Sequence, residues 1–248
     1  FLLGILIAPV GYYIRRNLDE TMDAEQAHET MGGVLSDVLA NHWQKIVLCI
    51  LLISGATISQ YFFLYTTTYA ISTLHYGQGW AMAANFAVGV SGLIFALVGG
   101  ALADRFGVKT IAIIPRLIVT LLLYPAFQLV VSSGSPLVFV LVAAGLVTLH
   151  AMSSGAGIIL IPLIFPPAVR TAGLSIAYAL GVTIFGGTAQ IVFTWIISAT
   201  GDRLSWIWYV IIMSVISVLG TLAIKVPETL KGRSQNTKPA AALAGASN

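Results

Sequence analysis

Long apolar runs separated by short polar connections repeat along the chain. Seven segments are candidates to span a bilayer: 1–14, 45–71, 81–103, 110–131, 137–161, 173–198 and 204–226. A spanning helix needs ~20 mostly apolar residues to cross roughly 30 Å of hydrocarbon. Apolarity here is continuous around each helix rather than striped at helical spacing. No run has the short alternating pattern of a membrane β-strand. The pattern predicts an all-α integral membrane protein. Phe1 stands inside an apolar run, which predicts that the first segment is the end of a spanning helix and the chain part of a longer one.

Two polar regions interrupt this pattern. Residues 15–44 hold six of the nine acidic residues and read as a polar linker. Its stretch "GGVLSDVLANHW" predicts an amphipathic surface helix leading into the next span. His28 and His42 lie among those acids, but their spacing fits no metal-ligand pattern, so a solvated linker is expected. Residues 227–248, rich in Ala, Ser, Asn and Lys, predict a disordered tail.

Composition sharpens the choice of solvent. Hydrophobic residues make up 58% of the chain and charged residues 8%, against about 25% charged in soluble domains. Mean hydropathy is +0.93. So few charges cannot cover a surface facing water. The net charge of +3 is scattered between apolar runs, which argues against a nucleic-acid partner. The single cysteine, Cys49, excludes an internal disulfide and is expected to be a small core residue. Basic residues are distributed unevenly over alternate connections: Arg203 stands alone on one side, and ten others, excluding Arg116, fall on the other. Basic residues mark the cytoplasmic side, so that side and the carboxyl terminus are expected in the cytoplasm.

The connection between the third and fourth spans carries the most specific motif. Residues 100–109 read G-x-L-A-D-R-x-G-x-K. Gly100 is expected to allow close helix approach, and Gly107 to supply the permissive backbone of a tight turn. Asp104 suits the positive end of another helix. Arg105 and Lys109 would anchor the turn at the membrane surface. This hairpin resembles the major facilitator superfamily, with Val108 standing where the family usually has a basic residue. The resemblance implies twelve helices in two six-helix halves, with this loop in both halves. Its place here matches the second copy. Residues 1–14 would then end helix six, 15–44 would be the central linker, and 45–226 the carboxyl-terminal half. "KVPET" at 225–229 is similar to the family's exit from its last span.

"FPPAVRTAGLSIAYALGVTIFGGTAQ" at 165–190 resembles the metabolite:proton symporter branch, as does "GILIAPVGYYIRRNLDET" at 4–21. That resemblance implies import of citrate, 2-oxoglutarate, shikimate, or proline and betaine with protons. Many branch members have Tyr-Asn at Tyr178-Ala179 and Pro at Gln190, departures that bear on the substrate. Within this segment Arg170 marks the cytoplasmic side and Thr171 is expected to cap the next span. Gly186-Gly187 is expected to permit close packing or a local break. Asp104 is expected near Thr171–Gly173, locking one transport state.

Polar groups at membrane depth are costly and often functional. The candidates for substrate binding are Gln60, Tyr61, Tyr65, Asn85, His150 and Gln190. Tyr61, Tyr65 and Tyr69 recur every four residues and share one helix face, where they either offer hydroxyls to a carboxylate or pack. Tyr69 lies nearest the outer interface. His150, followed by Ser153 and Ser154, is the candidate proton carrier, with a structural hydrogen bond as the alternative. Arg116 lies ~10 Å deeper than Lys109 at helical rise. It is expected to snorkel to the membrane edge or pair with a loop acid; the other reading is contact with an organic anion. No Asp or Glu falls inside a span. A carboxylate proton relay would therefore have to lie outside this chain.

These readings point to a proton-coupled importer of a small organic acid, with proline- or betaine-type zwitterions as the alternative substrates. Expected partners are substrate, protons, lipid and an amino-terminal half. A sensor or scaffold on the same fold is a rival of another class. An intramembrane enzyme would need paired Asp, H-E-x-x-H, or Ser and His with an orienting acid, and none is visible in the spans. Neither a nucleotide-binding glycine loop nor a heme or flavin signature occurs, so no cofactor is expected.

Overall fold

The computed structural model describes residues 31–225 together with Tyr13. A short helix α1 (Met31–Asn41) precedes α2 (Trp43–Ser72), α3 (Gln78–Phe106), α4 (Val108–Ser133) and α5 (Pro136–Leu160). Two 3-10 turns, Ile161–Ile164 and Pro167–Val169, lead to α6 (Arg170–Gly181). A π-helical turn, Val182–Gly186, joins α6 to α7 (Gly187–Thr200), and α8 (Ser205–Ala223) follows. The described residues form six helical segments long and apolar enough to cross a bilayer, with Pro136–Ile164 and Pro167–Thr200 each counted as one. They coincide with the second to seventh apolar runs. With no water to pair backbone groups in hydrocarbon, a helix is the form that satisfies them within one segment. The first run, the acidic stretch and the tail lie outside the described residues, Tyr13 excepted. α1 stands where the amphipathic helix was expected and packs on α2 and α6.

Glycines make the sharp ends. Gly107 ends α3 with φ 94°, and its N–H closes on Ala103 O at 2.8 Å. Gly201 ends α7 with φ 68°. Both backbones lie where a Cβ is disfavoured. α6 begins directly from the 3-10 turn, with Val169 at its cap position and no side-chain cap bond. Thr171 therefore lies inside the first turn rather than capping it.

α2 is the central post, touching α3, α5, α6, α7 and α8. Gly55 lets it meet α8: a Cβ there would collide with Met213 O and stand 2.5 Å from Ser217 Cβ. Ser217 Oγ–H then donates to Leu52 O at 3.0 Å. α3 lies mainly along α5. The contact glycine is Gly99, whose added Cβ would lie 2.5 Å from Met152 Cα, while Gly100 faces open space. Close approach at the motif is thus made one residue before the expected position, because a one-residue step turns a helix by about 100°.

Two apolar clusters fill the bundle. At the hairpin end, Cys49, Ala103, Leu160, Phe165 and Ala177 pack together with Val38 of α1. At the far end, Phe62, Tyr65, Tyr69, Phe127, Phe193 and Trp206 form an aromatic cluster with ring centroids 4.8–6.5 Å apart. Offset and edge-to-face pairs of this kind stabilise beyond their area. The ends are also pinned by polar bonds. Tyr69 Oη–H donates to Arg203 O at 2.9 Å. Lys109 Nζ donates to Leu222 O and Ile224 O at 2.7 Å each. α8 runs from the first of these contacts to the second, so the hairpin and Arg203 lie at opposite ends of the bundle.

Candidate functional site

The two clusters leave a layer between them. On α4 the hairpin-end cluster stops at Ala112 and the far-end cluster begins at Val119, with Arg116 between. On α5 the clusters stop at Val147 and resume at Ala156, with His150, Ser153 and Ser154 between. Beside this layer a cavity of about 260 Å³ opens among α2, α4, α5, α6 and α8. Gln60, Tyr61, Arg116, Ser153, Ser154 and Tyr178 are on its wall, and Thr57, Ser217 and Thr221 add hydroxyls.

Arg116 is 5% exposed. Its Nε–H donates to Ser153 Oγ at 3.2 Å and an Nη2–H to Ser154 Oγ at 3.4 Å. Ser153 gives its own proton to Ala112 O at 2.6 Å, which leaves its lone pairs to the guanidinium. Nη1 is buried without a partner. No acidic residue lines the cavity. Arginine at the centre of a spanning helix costs about 2.5–3.5 kcal/mol. Interhelical hydrogen bonds in membranes contribute about 0.6 kcal/mol each. Two long serine bonds do not offset that cost, and the cavity wall carries no compensating carboxylate. The expected snorkelling is not seen. Arg116 points into the bundle because α4 packs this face on α5 and α8.

His150 is buried at 3% exposure, with its ring 5.1 Å from that of Phe63. Its Nε2 lies 3.3 Å from Gln60 Oε1 and 3.2 Å from Ser154 Oγ: a protonated Nε2 donates to an oxygen, and a bare one accepts from the Ser154 hydroxyl alone. Ser154 is therefore one hydroxyl shared between His150 and Arg116. His150 reaches the cavity through Ser154 and Gln60 rather than lining it.

Of the sequence candidates, Gln60, Tyr61 and His150 come together here. Three do not. Tyr65 is 2% exposed in the aromatic cluster, with its hydroxyl 3.0 Å from Thr194 Oγ1. The face shared by Tyr61 and Tyr65 changes neighbours along α2, from cavity to packed core. Asn85 is exposed on α3 beside Met82 and Phe86, and Gln190 is exposed on α7; neither lines the cavity. Both helices lie at the rim of this bundle and turn these positions outward.

The hairpin residues sit apart from the cavity. Arg105 lies 5.3 Å over the Phe106 ring, and Arg170 Nε–H donates to Phe165 O at 3.4 Å. Asp104 is exposed, and no bond joins it to Thr171–Gly173 among the described residues. The helix that carries it packs on α5, α2 and α4 rather than on α6. No cluster of His, Cys, Asp or Glu among the described residues could hold a metal ion.

Tyr178, Thr57, Ser217 and Thr221 were not legible as site residues, because hydroxyls are common in spans and nothing in their spacing sets them apart. Arg116 did carry a signal, its depth relative to Lys109. The π-helical turn falls directly before Gly187, where a break was expected. A Cβ on Gly186 would lie 2.8 Å from Tyr61 Cε2.

A family model described as "Sugar (and other) transporter" matches residues 14–236. The citrate-proton symporter of Klebsiella pneumoniae is 32% identical over 226 residues, covering 90% of this chain and 50% of that protein. The alpha-ketoglutarate permease of Escherichia coli K12 is 28% identical, covering 90% of the chain and 51% of the permease. A glycine betaine/proline/ectoine/pipecolic acid transporter of Dickeya dadantii is 26% identical, covering 97% and 50%. The chain spans about half the length of the curated relatives it matches. These proteins are named as transporters, not enzymes. No solved structure matches the chain.

Proposed function

The chain belongs to the sugar (and other) transporter family of the major facilitator superfamily, and we propose that it forms the carboxyl-terminal half of a proton-coupled symporter importing a small organic acid. It is a multi-pass membrane protein. In this reading residues 45–226 are the second six-helix unit, 15–44 the central linker and 1–14 the end of the preceding span. An amino-terminal half completes the carrier, and the half-length coverage of the relatives supports this. In this reading the carrier sits in the cell membrane, and the basic residues at the hairpin end support a cytoplasmic position for that end.

The observation that carries the substrate class is the buried Arg116, which lines a cavity without a carboxylate and keeps one guanidinium nitrogen without a partner. A carboxylate supplies the missing acceptor and charge, as a bidentate or single charge-assisted bond. Gln60 and Tyr61 contribute further polar contacts, and His150 carries the proton. Relatives named for citrate and alpha-ketoglutarate transport support the same class.

A second reading is transport of a zwitterion such as proline or betaine. Tyr61 and Tyr178 on the cavity wall favour it, since aromatic faces attract a substituted ammonium. A zwitterion also brings a carboxylate for Arg116.

The test is uptake by the full-length protein in proteoliposomes against citrate, 2-oxoglutarate, shikimate, proline and betaine, with and without a protonophore. Protonophore-sensitive uptake of a di- or tricarboxylate is expected. Uptake of proline or betaine alone would favour the second reading. No uptake of any of the five would favour a sensor or scaffold.

A further inference from the structure

We propose that Ser154 is the positioning residue through which carboxylate binding at Arg116 and proton binding at His150 are coupled; this rests on the carboxylate reading above. Three observations combine. Ser154 Oγ is 3.4 Å from Arg116 Nη2 and 3.2 Å from His150 Nε2, so one hydroxyl serves both. Ser154 lines the cavity and His150 does not, so the histidine meets the cavity through it. Arg116 lines the same cavity, and its buried Nη1 has no partner.

The electrostatics follow from that spacing. Two cations one hydroxyl apart repel each other, so the empty site holds a single positive charge, that of Arg116. A carboxylate at the guanidinium cancels it, and a proton on His150 then restores it. Empty and loaded sites carry equal charge for a single carboxylate. Each ligand lowers the cost of the other by the same factor, as linkage requires.

Few other groups face His150. α4 presents Arg116, and α2 presents Gln60 and Phe63, with Tyr61 farther along the cavity wall. α3 carries no titratable side chain before Asp104 and Arg105 at the hairpin end.

The proton step balances within the triad. A hydronium in the cavity gives a proton to Ser154 Oγ as that hydroxyl releases its own to His150 Nε2. One O–H bond of the hydronium breaks, leaving water; one O–H bond forms and one breaks on Ser154, and one N–H bond forms on His150. The new N–H then donates to Gln60 Oε1, which lies 3.3 Å away. Ser154 turns a lone pair to Arg116. In the neutral state the Ser154 O–H donates to Nε2, and Gln60 Oε1, which has no proton to give, makes no hydrogen bond to that nitrogen.

The test is calorimetric binding of 2-oxoglutarate, which stays ionised from pH 6 to 8, to the full-length protein in detergent. Buffers of different ionisation heat give the proton count. For the wild type, affinity should tighten as pH falls, approaching about tenfold per pH unit, with one proton taken up per anion. Ser154→Ala should bind more weakly but with little pH dependence and no proton uptake, and Ser154→Thr should restore both. His150→Gln should also be flat with pH, and it decides the matter if Ser154→Ala fails to fold. A wild-type slope and proton count in Ser154→Ala or His150→Gln overturns the coupling, as does a wild type without pH dependence. Arg116→Gln separates the two claims. If it binds like the wild type, the carboxylate reading fails. If it loses binding while Ser154→Ala keeps its slope, only the coupling fails.

Discussion

Gly186 meets the edge of the Tyr61 ring so closely that an added methyl group would stand 2.8 Å from Tyr61 Cε2. The π-helical turn ends at this glycine, and Tyr61 forms the cavity wall. Gly186→Ala should therefore push the ring toward the cavity. Overpacking of this kind costs about 1–3 kcal/mol. The expected outcome is protein that still reaches the membrane but has a KM raised roughly tenfold. Uptake kinetics normalised to membrane-inserted protein check it, and an unchanged KM would show that Tyr61 does not shape the site.

The adjacent glycines of the hairpin motif should behave differently. A Cβ at Gly99 meets the backbone of Met152, which cannot move aside, whereas one at Gly100 meets nothing within 4 Å. Gly99→Ala should lower thermal stability in detergent by about 1–3 kcal/mol, and Gly100→Ala should stay within about 0.5 kcal/mol. Equal effects would mean that α3 and α5 do not cross where described.

Lys109 ties the hairpin to the last span by capping the carbonyls of Leu222 and Ile224. A cation there also meets the negative end of the α8 dipole. Lys109→Met should destabilise by about 1 kcal/mol and speed amide hydrogen exchange at the end of α8. Lys109→Arg should largely preserve protection. No change in exchange for Lys109→Met would mean that Lys109 does not cap α8.

Asn85 and Gln190 are exposed and off the cavity, and Tyr65 is packed with its hydroxyl on Thr194. Asn85→Ala and Gln190→Ala should leave the carboxylate affinity of the purified protein within twofold, about 0.4 kcal/mol. Tyr65→Phe should cost roughly 0.6 kcal/mol of stability, the usual size of an interhelical bond in a membrane, without altering affinity. A tenfold weaker affinity in any of the three would reinstate that residue as a contact.

What could be read from the sequence follows from what an apolar run encodes. Length and continuous apolarity locate a span, so the six described spans were legible to within a few residues. Gly107 was legible too, because a tight hairpin needs φ above zero there. The rotation of each span about its axis was not. When a helix is apolar all round, no polar face shows which side looks inward, and Arg116, Asn85 and Gln190 depend on that angle. Tyr61 and Tyr65 share a face, yet one lines a cavity and the other fills an aromatic cluster. Periodicity fixes the face but not what lies opposite at each depth.

In the proposed carrier the Arg116 guanidinium holds a substrate carboxylate. This is tested most directly by the equilibrium affinity of 2-oxoglutarate for the purified full-length protein with Arg116 intact and changed to Gln. Removing one member of a buried charge pair costs about 2–5 kcal/mol, so Arg116→Gln should bind at least about thirtyfold more weakly while unfolding at a similar or higher temperature. An affinity within twofold of the wild type would contradict the claim.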